Sequence, residues 1–460
     1  MIPVSTDDLA AAIGGRVLRA TGGLIKAVSI NSRTASYGDC FFAIRGPRFD
    51  GHNFVGQAYQ RGAVCAVVER PIPGPPPDGC GLIEVADTVA ALGRLARHYR
   101  MQQAFHVIAI TGSVGKTTTR SLIAHIASHA FSVHQSPGNY NNQIGLPLSI
   151  LEADPGCQVL VLELGTNRPG EIAYLSSIAC PDVAVLTGVW PAHLEGLGDM
   201  EQLTNEKLSI ARYLRPDGRF IVNADLPGLL ERARLIHKDV TGFGLTDHAD
   251  VRATDVRFGP EGTQFQVSGI PMTTPLLGPG NLTNTLAAIA ACLAIGIDIR
   301  SIPDLLRTAP RLQMRAQTLK VGPITVINDC YNANPASMAN ALALIQILAR
   351  PDQRRVFVCG DMAELGDQAI LLHHQLGKQV AQAGIDILIA VGPLASVVAQ
   401  AAVQAAGDIQ TICTPSASEA CKTVPELIKA GDILLIKGSR VAGLEMVLEA
   451  IKQRFGQTRT

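Results

Sequence analysis

The sequence predicts an α/β protein of three domains, and three observations predict it. At about 150 residues per domain, 460 residues divide into roughly three units, each large enough to bury its own core. Unbroken apolar runs, such as VIAI at 107–110, alternate with segments of helical period, the pattern of buried parallel strands joined by crossover helices. Several of these runs end in polar, glycine-bearing loops, and ligands of open α/β sheets bind at the carboxyl ends of strands.

Along the chain, residues 1–104 mix short strand-like runs (CFFAIR, AVCAVVER, GLIEV) with loops, one of them the proline-rich Pro71–Gly79. This is read as a small α/β domain. A helix over Thr88–Gln102 leads into a strand at His106–Thr111, where a central domain, 105–310, begins. Strands at Val159–Leu164 and Asp182–Thr187 alternate with helical patterns such as Met200–Leu214. Around Val251, Phe265 and Met272 the period becomes two, predicting an antiparallel extension before a helix near Asn281. The third domain, 311–460, is a Rossmann-like α/β unit with strands near Ile324–Asn328, Arg355–Cys359, Ile385–Val391 and Ile433–Ile436. GDMAELG and KGSR follow two of these strands.

Charge and composition exclude several classes of function. Thirty-nine basic residues balance thirty-nine acidic ones, so no excess exists to neutralise nucleic acid or a lipid surface. The longest apolar candidate, Leu286–Ile297, is too short to span a membrane. The first residues, MIPVSTDDLAAAIGG, show no basic-then-apolar leader, and a cytoplasmic location is expected. Ten cysteines without a C-x-x-C pair read as small buried hydrophobes.

The strongest local signal is ITGSVGKTTT at Ile110–Thr119, placed between a buried strand and a helix. It reads as a phosphate-binding loop of the P-loop ATPase type. Gly112 and Gly115 let the backbone N–H groups of Ser113, Val114 and their neighbours approach phosphate oxygens, and the helix N-terminus at Lys116 to Thr118 favours the anion. Lys116 would bridge the β- and γ-phosphates and Thr117 supply a hydroxyl for Mg²⁺. The usual pattern has Gly where Ile110 stands, so this is a variant form, and a chance glycine-rich turn is the alternative. Glu163, near the end of the next strand, reads either as a magnesium ligand or as a capping carboxylate. His193 in GVWPAHLEG and Lys207 on its helix read, taken alone, as a structural histidine and a solvated lysine.

With these segments in order, the chain resembles the Mur ligases, ATP-dependent amide-forming enzymes of peptidoglycan assembly. NSR at Asn31–Arg33, GDCFFAIRG, RFDGHNF, GNYNNQIGLPLS, AHLEG, INDCYNANPASM, GDMAELG and IKGSR carry the resemblance. YNANP and GDMAELG point to the branch that adds D-alanyl-D-alanine to a UDP-N-acetylmuramoyl-tripeptide through an acyl phosphate. Another amide ligase of this or the folylpolyglutamate type, and a P-loop NTPase without ligase activity, are the alternatives. The sequence departs from the family at Asn31, at Gly188 and Trp190, and at Gly280.

The resemblance implies ATP and two Mg²⁺ ions, with Thr117 and Glu163 on one ion and His193 and a carbamylated Lys207 on the other. It implies Asn281 and Arg315 at adenine and Asp329 at ribose. Ser32, Arg33, Arg48, Asn141 and Asn142 would serve the UDP-linked substrate, and Tyr331, Asn332, Asn334, Lys437 and Arg440 the substrates on the third domain. A monomer is expected.

Overall fold

Unbroken apolar runs become the middle strands of three sheets in the computed structural model, which describes residues 1–456. The first sheet runs in the order Arg16–Arg19, Gly81–Glu84, Cys65–Val68, Asp39–Phe42, Ala27–Ser29, parallel except for the first pair. The second has nine strands. From Val133–Gln135 through Val159–Glu163, His106–Thr111, Val183–Leu186, Arg219–Asn223 and Val240–Gly244 to Val251–Gly259 it is parallel. Gly262–Val267 and Ile270–Thr274 then add the expected antiparallel extension. The third sheet runs Gln317–Val321, Ile324–Asn328, Ile433–Lys437, Arg355–Gly360, Ile387–Val391, Gln410–Thr414, parallel after its first pair.

The strands absent from the sequence reading of the outer sheets are their edges: Arg16–Arg19, Ala27–Ser29, Gln317–Val321 and Gln410–Thr414. Each is largely half-exposed and lacks the apolar run of a central strand. The helix expected over Met200–Leu214 is α-helical only to Leu208 and tightens to a 3₁₀ turn over Ser209–Tyr213. The Ser209 hydroxyl donates to the Glu206 carbonyl at 2.6 Å, a local bond that competes with the helical pattern. Seven of the ten cysteines are buried as expected, but Cys413 is exposed and Cys80 and Cys421 are half-buried. No helix among the described residues is long and apolar enough to cross a membrane.

The helix Thr88–Gln102 starts where Asp87 accepts from Ala90 N at 2.8 Å, and it buries Leu92, Leu95, Ala96 and Tyr99. This face belongs to one continuous apolar core shared by the first sheet and the central domain. At its end the fully buried Arg100 donates to the Ala179 and Cys180 carbonyls and to Asp182 Oδ2 at 2.7 Å. Asp182 also accepts from Val107 N at the start of the strand that leads to the phosphate loop. Arg100→Met would leave that carboxylate without its buried cation and is expected to destabilise the protein by about 3 kcal/mol, read as a lower urea midpoint of the first unfolding transition. An unchanged midpoint would contradict the anchoring role.

Candidate active site

The strand His106–Thr111 delivers the chain into a turn, and the helix Lys116–Ala127 leaves it. Two glycines make the turn possible. Gly112 and Gly115 have φ of +148° and +88°, and a Cβ would lie 2.0 Å from Thr187 Oγ1 at the first and 1.9 Å from Asn284 Oδ1 at the second. Ser113 Oγ donates to the Trp190 carbonyl at 2.8 Å and accepts from Trp190 N at 3.0 Å, tying the loop to the segment after the strand Val183–Leu186. Gly188 belongs with Trp190, because a Cβ at 188 would meet the indole at 2.3 Å. Lys116 Nζ donates to the Gly112 carbonyl at 2.7 Å, so its ammonium curls over the loop. Burial lowers its pKa and Glu163 opposes that fall.

Glu163, only 3% exposed, ends its strand below the loop. Its Oε2 accepts from the Thr117 hydroxyl at 2.9 Å and faces Arg120 Nη1 at 3.5 Å, while Oε1 accepts from Asn141 Nδ2 at 3.0 Å. Asn141 therefore holds the carboxylate, and Asn142 Oδ1 accepts from Ile144 N and Gly145 N in the turn that leads into the following helix. Arg120 carries no motif that marked it. It is buried, donates to the Gly138 carbonyl at 2.8 Å and leaves its Nε without a partner.

Lys207 is 1% exposed, which overturns the solvated-lysine reading. The helix turns it inward beside Glu206, whose carboxylate accepts from Gly170 N, Ile172 N and Thr166 Oγ1. Among the described residues the Lys207 ammonium makes no hydrogen bond. Burial, reinforced by the Lys116 charge, holds it well below the usual lysine range. His193 faces the space above the loop and contacts Glu364 of GDMAELG. Burial, then Lys116, lowers the imidazole pKa.

The third domain closes the space above the loop. Arg315 Nη2 donates to the Thr117 hydroxyl at 3.0 Å, with its guanidinium 4.0 Å from the Tyr331 ring centroid. The flanking Met314 and Ala316 both have left-handed backbone. Arg315 thus stands at the phosphate end of the loop, a different place from the adenine position expected of it. Asn334 caps its own helix by accepting from Ser337 N and also donates to the Ser113 carbonyl at 3.3 Å. Asn281 and Gly280 line the wall opposite; a Cβ at 280 would lie 2.7 Å from Asn340 Nδ2, so the glycine lets the third domain approach.

Together these elements enclose a cavity of about 580 Å³, lined by the loop from Ser113 to Thr118, Glu163, His193, Asn281, Arg315, Asp329 and Tyr331. Asn141, Asn142, Asn332, Asn334 and Lys437 also reach it. Lys207 lies behind the lining. Ser32, Arg33, Arg48 and Arg440 lie outside it: Ser32 donates to Gln57 Oε1 in the first domain, and Arg440 is exposed beside Glu445.

Lys437 differs from its expected role. It belongs to the last residue of a strand and is 2% exposed, and it spends its donors on Asp329 Oδ2 at 2.6 Å, the Asp329 carbonyl at 3.3 Å and the Asn332 carbonyl at 3.0 Å. It is therefore committed to the protein and not free for a substrate carboxylate. Asp329 is committed likewise, its Oδ1 accepting from Ala316 N at 2.9 Å.

Three family models match the chain: Mur ligase family, catalytic domain, over residues 24–100; Mur ligase middle domain over 110–292; and Mur ligase, glutamate ligase domain, over 311–440. The chain is 35% identical over 429 residues to the UDP-N-acetylmuramoyl-tripeptide–D-alanyl-D-alanine ligase of Bacillus subtilis, covering 93% of each. It is 32% identical to the enzyme of that name from Escherichia coli, over 98% of this chain and 99% of that one. Among solved structures, MurF from Acinetobacter baumannii superimposes with a TM-score of 0.89 at 33% identity, covering 98% and 99% of the two chains. MurF ligase from Thermotoga maritima in complex with ADP gives 0.83 at 28% identity, covering 94% and 98%.

Removing the Lys437 ammonium would strand the Asp329 carboxylate, so Lys437→Met is expected to destabilise the third domain by about 3 kcal/mol, measured by chemical denaturation. A variant of full stability would return this lysine to the set of substrate-binding candidates.

Proposed function

The chain belongs to the Mur ligase family, and from that premise we propose that it joins D-alanyl-D-alanine to UDP-N-acetylmuramoyl-tripeptide at the expense of ATP. The products are the UDP-N-acetylmuramoyl-pentapeptide, ADP and phosphate. One observation carries this reading over simple nucleotide hydrolysis. Arg315 of the third domain reaches the Thr117 hydroxyl of the phosphate loop at 3.0 Å, so a separate substrate-bearing domain meets the nucleotide site at its reacting end.

A carboxylate does not condense with an amine until one oxygen becomes a good leaving group. The tripeptide carboxylate attacks the γ-phosphorus, ADP leaves, and an acyl phosphate forms. Negative charge gathers between carboxylate and phosphates during this step, and Lys116 and Arg315, the cations at the loop, would meet it. The free amine of the dipeptide then attacks the acyl carbon, and phosphate departs as the amide forms. Apposition of the third domain holds the reactants and keeps out water, which would otherwise hydrolyse the acyl phosphate.

The donor set fits magnesium. Thr117 and Glu163 offer hard oxygens within hydrogen-bond distance of one another at the loop. When bound, the ion supplies counter-charge to the phosphates. Among the described residues no three His, Cys, Asp or Glu side chains cluster into a self-sufficient site, so phosphate oxygens and water would complete the shell. His193 and Lys207 would hold a second ion. The lysine fits as a carbamate: among the described residues its amine has no hydrogen-bond partner, and burial pushes it toward the neutral form that captures CO₂. Ser32, Arg33 and Arg48 would meet the UDP end, and Arg440, the exposed cation of the KGSR loop, the dipeptide carboxylate. We place the reaction in the cytoplasm and take the chain as a monomer.

Supplying ATP, UDP-N-acetylmuramoyl-tripeptide and D-alanyl-D-alanine singly and together tests the function. Product mass is expected only with all three, and phosphate release that ignores the muramoyl peptide would overturn it. Lys207→Ala is expected to abolish ligation and formate to restore part of it by occupying the carbamate oxygen positions; activity without added acid would contradict the carbamate. Arg440→Ala is expected to raise the KM for the dipeptide about tenfold or more, the loss of one charged hydrogen bond, while leaving that for ATP in place. Equal shifts in both would remove Arg440 from the dipeptide site.

A further inference from the structure

His193 and Glu364 are 171 residues apart and belong to different domains, yet Nδ1 of the imidazole contacts Oε2 of the carboxylate. Both residues have left-handed backbone, with φ of 55° and 63°. A side chain with a Cβ disfavours that conformation, and it persists where the surroundings hold it, most often at functional positions. The Glu364 carbonyl accepts from Glu195 N at 3.3 Å, so backbone and side chain of one residue both engage the central domain. Two residues on, Gly366 approaches so closely that a Cβ would lie 3.3 Å from Glu195 Cα. The Glu364 side chain is 52% exposed and has no other partner among the described residues.

An ionised carboxylate can only accept a hydrogen bond, so the imidazole proton it engages sits on Nδ1. Nε2 then keeps its lone pair. Carboxylates that accept from the far nitrogen of an imidazole commonly fix its tautomer and orientation for a cation. Here, however, the carboxylate belongs to the third domain and the imidazole to the central one.

We infer that Glu364 is a positioning residue that orients His193 as a cation ligand, and that it does so only while the third domain lies against the central one. The inference rests on the reading of His193 as a ligand. Its consequence is that the second cation site is completed by the same movement that brings the dipeptide-bearing domain to the phosphates. Before that movement His193 lacks its orienting partner, and ATP is less exposed to wasteful attack.

The test uses the full chain with a non-hydrolysable ATP analogue and Mn²⁺ as the probe, bound ions being counted by electron paramagnetic resonance without turnover. Glu364→Ala is expected to weaken the weaker Mn²⁺ site about tenfold and to leave the thermal midpoint in place. Glu364→Gln keeps an acceptor oxygen for Nδ1–H and is expected to retain most of the affinity. Unchanged Mn²⁺ binding in Glu364→Ala would overturn the inference, as would a loss that tracks a fallen thermal midpoint and is not recovered in Glu364→Gln. His193→Ala separates the two levels. If it loses the weaker site, the ligand reading stands and the Glu364 variants alone decide; if it binds both ions as before, that reading fails and the inference with it.

Discussion

The Thr117 hydroxyl has one proton to give, and it gives it to Glu163 while accepting from Arg315. Those two partners come from the central and third domains, so a single oxygen joins the floor of the cavity to its roof. Lys116, Arg120 and Arg315 gather around one carboxylate, Glu163, an arrangement with more positive than negative charge. Buried charge of one sign is costly unless something of the other sign arrives. A triphosphate is that complement, and the glycines at 112 and 115 leave the backbone free to receive it.

The domains are joined in unlike ways. The first sheet and the central domain share one apolar core, fastened by the buried Arg100. The third domain has its own core, to which the central region contributes Leu277, and around the cavity it meets the central domain through polar pairs: Arg315 with Thr117, Asn334 with Ser113, Glu364 with His193. Small polar interfaces between domains permit relative motion, whereas a shared apolar core resists it. The third domain is accordingly the part whose position could change without opening an apolar core, and the polar pairs are the contacts such a change would break or make.

Much of this was legible in the sequence where one segment contains its own signal. The phosphate loop announces itself because strand, glycines and helix start are contiguous, and the helix Thr88–Gln102 because its cap and period are local. The edge strands were not legible, because half-exposed strands carry no apolar run. Lys207 misled for a related reason: helical period tells which residues share a face and not what covers it. Arg120 and Glu206 lie beyond such reading altogether, and for Glu364 the motif GDMAELG was legible but its partner was not, since each acquires meaning from a residue 34 to 171 positions away. Lys437 shows the reverse error. Its loop was legible, but the strand runs one residue further than the apolar run suggested and buries the ammonium against Asp329.

The central claim is that the carboxylate is activated by phosphoryl transfer in this cavity before the amine attacks. Labelling the acceptor carboxylate of the UDP-linked tripeptide with ¹⁸O tests it most directly, with the released phosphate analysed by mass. The account expects one ¹⁸O in phosphate for each amide formed, because the oxygen that attacks phosphorus leaves with it. Phosphate free of label, with ligation proceeding, would contradict the account.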